Sequence, residues 1–112
     1  IYWEGGGTVS VIVGEIGKTP IKYGLNNNYP NPFNPLTTIS YDLPENALVN
    51  ITIYDMMGRI VKTMINTEQT AGYRSIQWNA TSNTGQPVSA GLYLYTIQAG
   101  NFRQTKKMIL LK

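Results

Sequence analysis

Val49-Asn50-Ile51-Thr52-Ile53-Tyr54 alternates apolar and polar side chains without a break. A period of two sends successive side chains to opposite faces of an extended strand, a pattern that no helix can bury on one side. The signature recurs along the chain. Thr37–Leu43 sets Ile39, Tyr41 and Leu43 on one face, and Arg59–Ile65, Tyr73–Trp78, Leu92–Ile97 and Phe102–Leu111 follow as further strands. Turn residues separate them: Pro44-Glu45-Asn46, Asp55–Gly58, the polar stretch Asn66–Gly72, and the loop Asn79–Ala90 with its Asn83-Thr84-Gly85 and Gln86-Pro87. Gly100-Asn101 is a two-residue hairpin turn. Six strands result, with a seventh expected near Val88. Met56-Met57 and Met64-Ile65 do not recur at helical spacing, and Gly58 interrupts them, so no amphipathic helix is predicted. Strands at this spacing predict an all-β, immunoglobulin-like antiparallel sandwich of about seven strands.

Strand phase places Ile51, Ile53, Trp78 and Tyr93 in the core. In the last strand, Met108 and Leu110 compete with Ile109 and Leu111 for the interior, which predicts burial on both faces or a bulge. Upstream, Tyr29-Pro30-Asn31-Pro32-Phe33-Asn34-Pro35 holds three prolines in six positions. Each proline lacks a ladder donor and pushes the residue before it toward extended geometry. The segment is expected to be a stiff lead-in whose Tyr29 and Phe33 plug the sandwich end.

Residues 1–25 read differently. Thr8–Val13 is rich in β-branched side chains between Gly5-Gly6-Gly7 and Gly14, and is expected to be the tail of a preceding domain, a linker or an added edge strand. The chain opens on Ile1 with no signal peptide and reads as the C-terminal part of a longer protein, with one sandwich domain over residues 26–112.

The 112 residues contain neither Cys nor His. Thiol nucleophiles, imidazole bases and the commonest zinc and haem ligands are therefore missing. The six acids, Glu4, Glu15, Asp42, Glu45, Asp55 and Glu68, fall singly in turns, linkers and strand ends rather than as a catalytic pair. Gly17-Lys18-Thr19 lacks the glycine a phosphate-binding loop requires at Ile12, and no helical run follows it. Asn79, Ser82 and Asn83 offer neutral oxygens to a cation but no charge, so turn hydrogen bonding is the simpler use. Asn50-Ile51-Thr52 and Asn79-Ala80-Thr81 match a glycosylation acceptor by the barest of patterns. No enzyme active site, metal or cofactor is expected. Met108–Leu111 is too short an apolar run to cross a membrane. The net charge of +3 is concentrated in Arg103, Lys106, Lys107 and Lys112, with no acid after Glu68. That is too small a basic face for nucleic acid.

Tyr29–Pro35, Thr37-Thr38-Ile39-Ser40-Tyr41, Ile53-Tyr54-Asp55, Gly58-Arg59, Ala71-Gly72-Tyr73, Trp78, Gly91–Tyr95 and Gln104–Lys112 together carry a resemblance. The chain resembles, over about residues 26–112, the type A C-terminal sorting domains of bacterial type IX secretion cargo. It departs in having Asn79-Ala80 where related domains often carry Asp-Gly after the tryptophan. The resemblance implies a folded address label. Its cargo crosses the periplasm, is recognised by an outer-membrane translocon, and ends secreted or on the cell surface. A sortase-like protease commonly removes the domain, often with attachment of the cargo to lipopolysaccharide. The residues expected to meet the translocon are Lys106, Lys107, Met108, Ile109, Leu110, Leu111 and Lys112, through strand pairing at the last strand and attraction to an acidic receptor. The rival reading is a structural or carbohydrate-binding immunoglobulin-like accessory module, in which Trp78 or the tyrosines stack on sugar.

Overall fold

The computed structural model of the chain describes residues 19–112, so the expected strand at Thr8–Val13 lies outside the described residues. Two antiparallel sheets form. One contains β1 (Gly24–Leu25), β2 (Thr37–Leu43) and β5 (Gly72–Trp78), in the order β1-β2-β5. The other contains β3 (Ala47–Tyr54), β4 (Ile60–Gln69), β6 (Gly91–Ala99) and β7 (Phe102–Leu110), in the order β4-β3-β6-β7. The sequence pattern accounts for the layering. Thr37, Ile39, Tyr41 and Leu43 of β2 are buried, as are Val49, Ile51 and Ile53 of β3 and Tyr93, Tyr95 and Ile97 of β6. Enclosing each large aliphatic or aromatic side chain contributes roughly 1.5–3 kcal/mol, which makes this shared interior the main source of stability. The result is an immunoglobulin-like all-β sandwich.

Between β6 and β7, Gly100 takes a φ of 58° while Asn101 does not enter the left-handed region. A positive φ at the first turn position alone is the geometry in which glycine closes a two-residue hairpin. A side chain at Gly100 would also meet the Tyr23 hydroxyl, since an added Cβ lies 3.1 Å from it.

Four expectations change. The last strand needs neither a bulge nor burial on both faces. Met108 and Leu110 are enclosed, at 0% and 1% exposure, while Ile109 and Leu111 stand at 42% and 50% on a face that no second layer covers among the described residues. The seventh strand is β1, which pairs with β2, and not a segment near Val88. Val88 instead donates to the Ala80 carbonyl, closing its own loop. Asn66–Gln69 is not loop but the continuation of β4, paired with Ala47–Asn50, because polar side chains on an exposed edge are compatible with extended backbone. Tyr29 does not plug the sandwich: its ring is 81% exposed, and Phe33 at 2% does that work alone.

Candidate functional site

The lead-in and the C-terminal strand meet. Prolines at 30, 32 and 35 remove three backbone donors, and the residues between them use those that remain. Tyr29 N–H donates to the Thr38 carbonyl and the Tyr29 carbonyl accepts from Thr38 N–H, each at 2.9 Å, which ties the segment to the three-stranded sheet. Phe33 N–H then donates to the Ile109 carbonyl at 3.0 Å, and Leu111 N–H donates to the Phe33 carbonyl at 2.8 Å, on the four-stranded sheet. Asn31 Oδ1 accepts Ile109 N–H at 3.0 Å. One short segment thus crosses from the first sheet to the second and covers the end of the edge strand β7. The Tyr29-Pro30, Asn31-Pro32 and Asn34-Pro35 peptide bonds are cis.

Side chains fix the crossing from beneath. The Phe33 ring packs on Trp78 at 5.8 Å between centroids, and Trp78 meets Tyr93 edge-on at 5.6 Å. Trp78 Nε1 donates to the Thr81 carbonyl at 2.9 Å, so the buried indole is satisfied. Asn28 N–H donates to the Tyr95 hydroxyl, which itself donates to the Asn26 carbonyl, both at 2.9 Å. Thr37 Oγ1 accepts from Asn28 Nδ2 at 3.0 Å and donates to the Pro30 carbonyl at 2.8 Å.

The residues expected to meet a translocon are divided by the pleat. Lys106, Met108 and Leu110 point to the inner side, where Met108 and Leu110 are enclosed and Lys106 is half-buried at the margin. Lys107, Ile109 and Leu111 are exposed on the outer side, and Lys112 is exposed past the strand end. Successive residues of a strand face opposite ways, so Lys106 and Lys107 do not form one patch. Arg103 shares the outer side with Lys107. All seven lead-in residues lie in the crossing, and the core residues Ile51, Ile53, Trp78 and Tyr93 are enclosed.

Asparagines are what the sequence reading missed. Asn31 satisfies the β7 edge, and at the opposite margin Asn83 does likewise for β4: its N–H donates to Val61 and its Oδ1 accepts from Thr63 N–H, each at 3.0 Å. Asn79 Oδ1, by contrast, makes the turn bond expected of it, accepting from the Thr81 hydroxyl at 2.6 Å. An asparagine between prolines or in a polar loop carries no local signal of such a distant partner.

The Asp55–Arg59 turn is equally self-contained. Asp55 Oδ1 accepts from Met57 and Arg59 N–H at 2.9 and 3.0 Å, and Oδ2 takes Arg59 Nε at 2.8 Å. The Arg59 backbone bond, ahead of its guanidinium, holds the Asp55 carboxyl below its ordinary range. Among the described residues, no three His, Cys, Asp or Glu side chains gather as a metal site.

These features define an all-β sandwich with a crossing lead-in locked to its last strand. The sequence model of the secretion system C-terminal sorting domain matches residues 27–111, and the chain belongs to that family. Domains of this family are the C-terminal sorting signal of the type IX secretion system; they are not catalytic, they engage the secretion machinery, and their proteins are exported to end secreted or at the cell surface. Solved structures share the fold. Dimeric latent PorU from Porphyromonas gingivalis aligns at a TM-score of 0.62 with 24% identity, over 78% of this chain and 9% of that one. PorZ, an essential surface component of the type IX secretion system of the same bacterium, aligns at 0.56 with 21% identity, over 80% and 12%. FlgD from P. aeruginosa aligns at 0.53 with 21% identity, over 70% and 67%. The chain therefore spans only a small part of PorU and PorZ. No curated protein matches it by sequence.

Proposed function

We propose that the lead-in and the C-terminal strand form one recognition unit, read by the outer-membrane translocon while the cargo is in the periplasm. The observation that carries this is the direct bonding of Asn31 and Phe33 to Ile109 and Leu111, which joins the two most specific sequence features of the chain into one surface. Lys107 and Lys112, with Lys106 at the margin, steer that surface toward an acidic receptor. Met108 and Leu110 act indirectly, by holding the strand in place. After passage a sortase-like protease removes the domain, and the cargo is released or anchored at the surface.

The test fuses the chain to a periplasmic reporter in a bacterium with a type IX system. Lys106, Lys107 and Lys112 are replaced together by alanine, and melting temperature and surface delivery are both measured. Exposed charges change stability by about 0.5 kcal/mol or less each, so melting should stay near that of the parent. Reporter stranded in the periplasm is the expected result. Normal delivery of the triple variant would remove the lysines from recognition. A wild-type fusion that never reaches the surface would overturn the sorting role and favour an accessory module.

A further inference from the structure

The outer edge of β7 is divided. Ile109 gives its N–H to Asn31 and its carbonyl to Phe33, so its backbone faces away from β6. In an antiparallel strand, residues two apart turn their backbone groups to the same side. The pairing with β6 runs without a shift from Ala99↔Phe102 to Gly91↔Leu110. Lys107, Thr105 and Arg103 therefore face outward as Ile109 does. Among the described residues, no partner bonds the outward backbone groups of these three; their side chains bond only back to β6, Thr105 to Thr96 and Arg103 to Gln98. The far margin, β4, is by contrast covered where Asn83 bonds Val61 and Thr63.

We propose that Arg103–Lys107 is the acceptor for an extended acidic segment of a partner protein, which adds to the four-stranded sheet as a fifth strand. The inference rests on the sorting reading for where that partner is found, within the secretion machinery. Charge chooses the occupant. The Arg103 and Lys107 side chains are exposed on the outer face on either side of Thr105, and no acid follows Glu68 in the chain. A second copy pairing antiparallel about Thr105 would set Arg103 opposite Lys107, and like charges opposed across strands are unfavourable. Carboxylates at the same positions are favourable. Basic side chains on an open edge also discourage indiscriminate pairing, so the same two residues that repel copies of this chain admit an acidic strand.

The probe is a hexapeptide of alternating glutamate and valine, added to the isotope-labelled 112-residue chain. The amides of Arg103, Thr105 and Lys107 should become protected from exchange. Thr105→Pro should weaken the peptide Kd at least tenfold, while Thr105→Val, which loses the same hydroxyl bond to Thr96 but keeps the N–H, should melt like Thr105→Pro and bind like the parent, because the Thr105 N–H makes no bond to β6. Lys106→Pro, which removes a ladder bond, serves as the unfolding control. A lysine–valine hexapeptide should not bind. Unchanged affinity in a folded Thr105→Pro chain would overturn the proposal, as would protection of the three amides before peptide is added. If Thr105→Pro fails to fold, Arg103→Glu with Lys107→Glu decides instead: the pair should now prefer the lysine–valine peptide, and retained preference for the acidic one overturns the inference. Failure of the wild-type fusion to be exported would strike the sorting reading and leave this amide map untouched.

Discussion

Trp78 sits at 1% exposure between Phe33 and Tyr93, with its indole N–H bonded to Thr81. Truncation to alanine opens a cavity that this closed ring cluster cannot refill. Trp78→Ala should therefore cost about 3–5 kcal/mol in denaturant unfolding. A loss below about 1 kcal/mol, the scale of a surface change, would contradict the enclosure. The same enclosure removes Trp78 as a platform for sugar. Two residues on, Ala80 takes a φ of 63° at 3% exposure. The left-handed conformation costs an alanine roughly 1–2 kcal/mol. Burial of its methyl returns about 0.8 kcal/mol and so offsets only part of that cost. Ile51, Ile53, Trp78 and Tyr93 were legible in the sequence because strict alternation fixes which face is inside. Tyr29 was not. Prolines leave the lead-in without a side-chain period, so nothing local says that Phe33 enters the core while Tyr29 stays in water.

Among the elements, the lead-in ties the sandwich together by bonding one sheet at Tyr29 and the other at Phe33. Phe33→Ala should cost about 3–5 kcal/mol, as for other enclosed aromatics. Asn31→Ala removes a single bond and should cost about 0.5–1.5 kcal/mol. Amide exchange separates their effects. In the parent, Phe33, Ile109 and Leu111 N–H should exchange slowly; Asn31→Ala should release Ile109 first, and Phe33→Ala should release all three. If residues 29–35 exchange like a disordered tail in the parent, the lock is absent. The β2, β3 and β6 strands were legible because both their neighbours and their core face reward alternation. β4 was read too short for a physical reason. Its pairing with β3 shifts between Ile51 and Thr52 and again between Ile53 and Tyr54, but both bulges fall within the part that was legible. Asn66-Thr67-Glu68-Gln69 pairs with Ala47–Asn50 without a shift, yet its wholly polar side chains on an exposed edge carry no apolar alternation to mark the strand.

For the molecule as a whole, the spacing of strands and turns announced a sandwich, but pairing order is a long-range choice that no local pattern encodes. Tyrosines help to enforce that choice. Tyr41 of β2 reaches across to Gln69 of β4, and Tyr95 of β6 reaches Asn26 and Asn28 beside β1. Each buries its ring and bonds its hydroxyl, so each pins one sheet to elements beside the other. Burial raises both phenols above the ordinary value of 10.0; for Tyr41 the Gln69 bond and Arg74 oppose this, and for Tyr95 the Asn28 N–H does, without cancelling it. A raised pKa means that the folded state holds these protons more tightly than the unfolded chain does. Their stabilisation is therefore complete below the unfolded value and lost as pH rises through the folded one. From neutral pH the sandwich should be insensitive to pH up to about 10 and then unfold cooperatively above it, with phenolate absorbance from the buried tyrosines appearing in step with loss of the β-sheet circular dichroism signal. Tyr41→Phe with Tyr95→Phe removes both ionisations and should move that alkaline midpoint upward, even though neutral-pH stability falls through the lost hydroxyl bonds. Buried phenolate that forms while the sheet signal is intact, or an unmoved midpoint in the double variant, would show that these two side chains do not control alkaline unfolding.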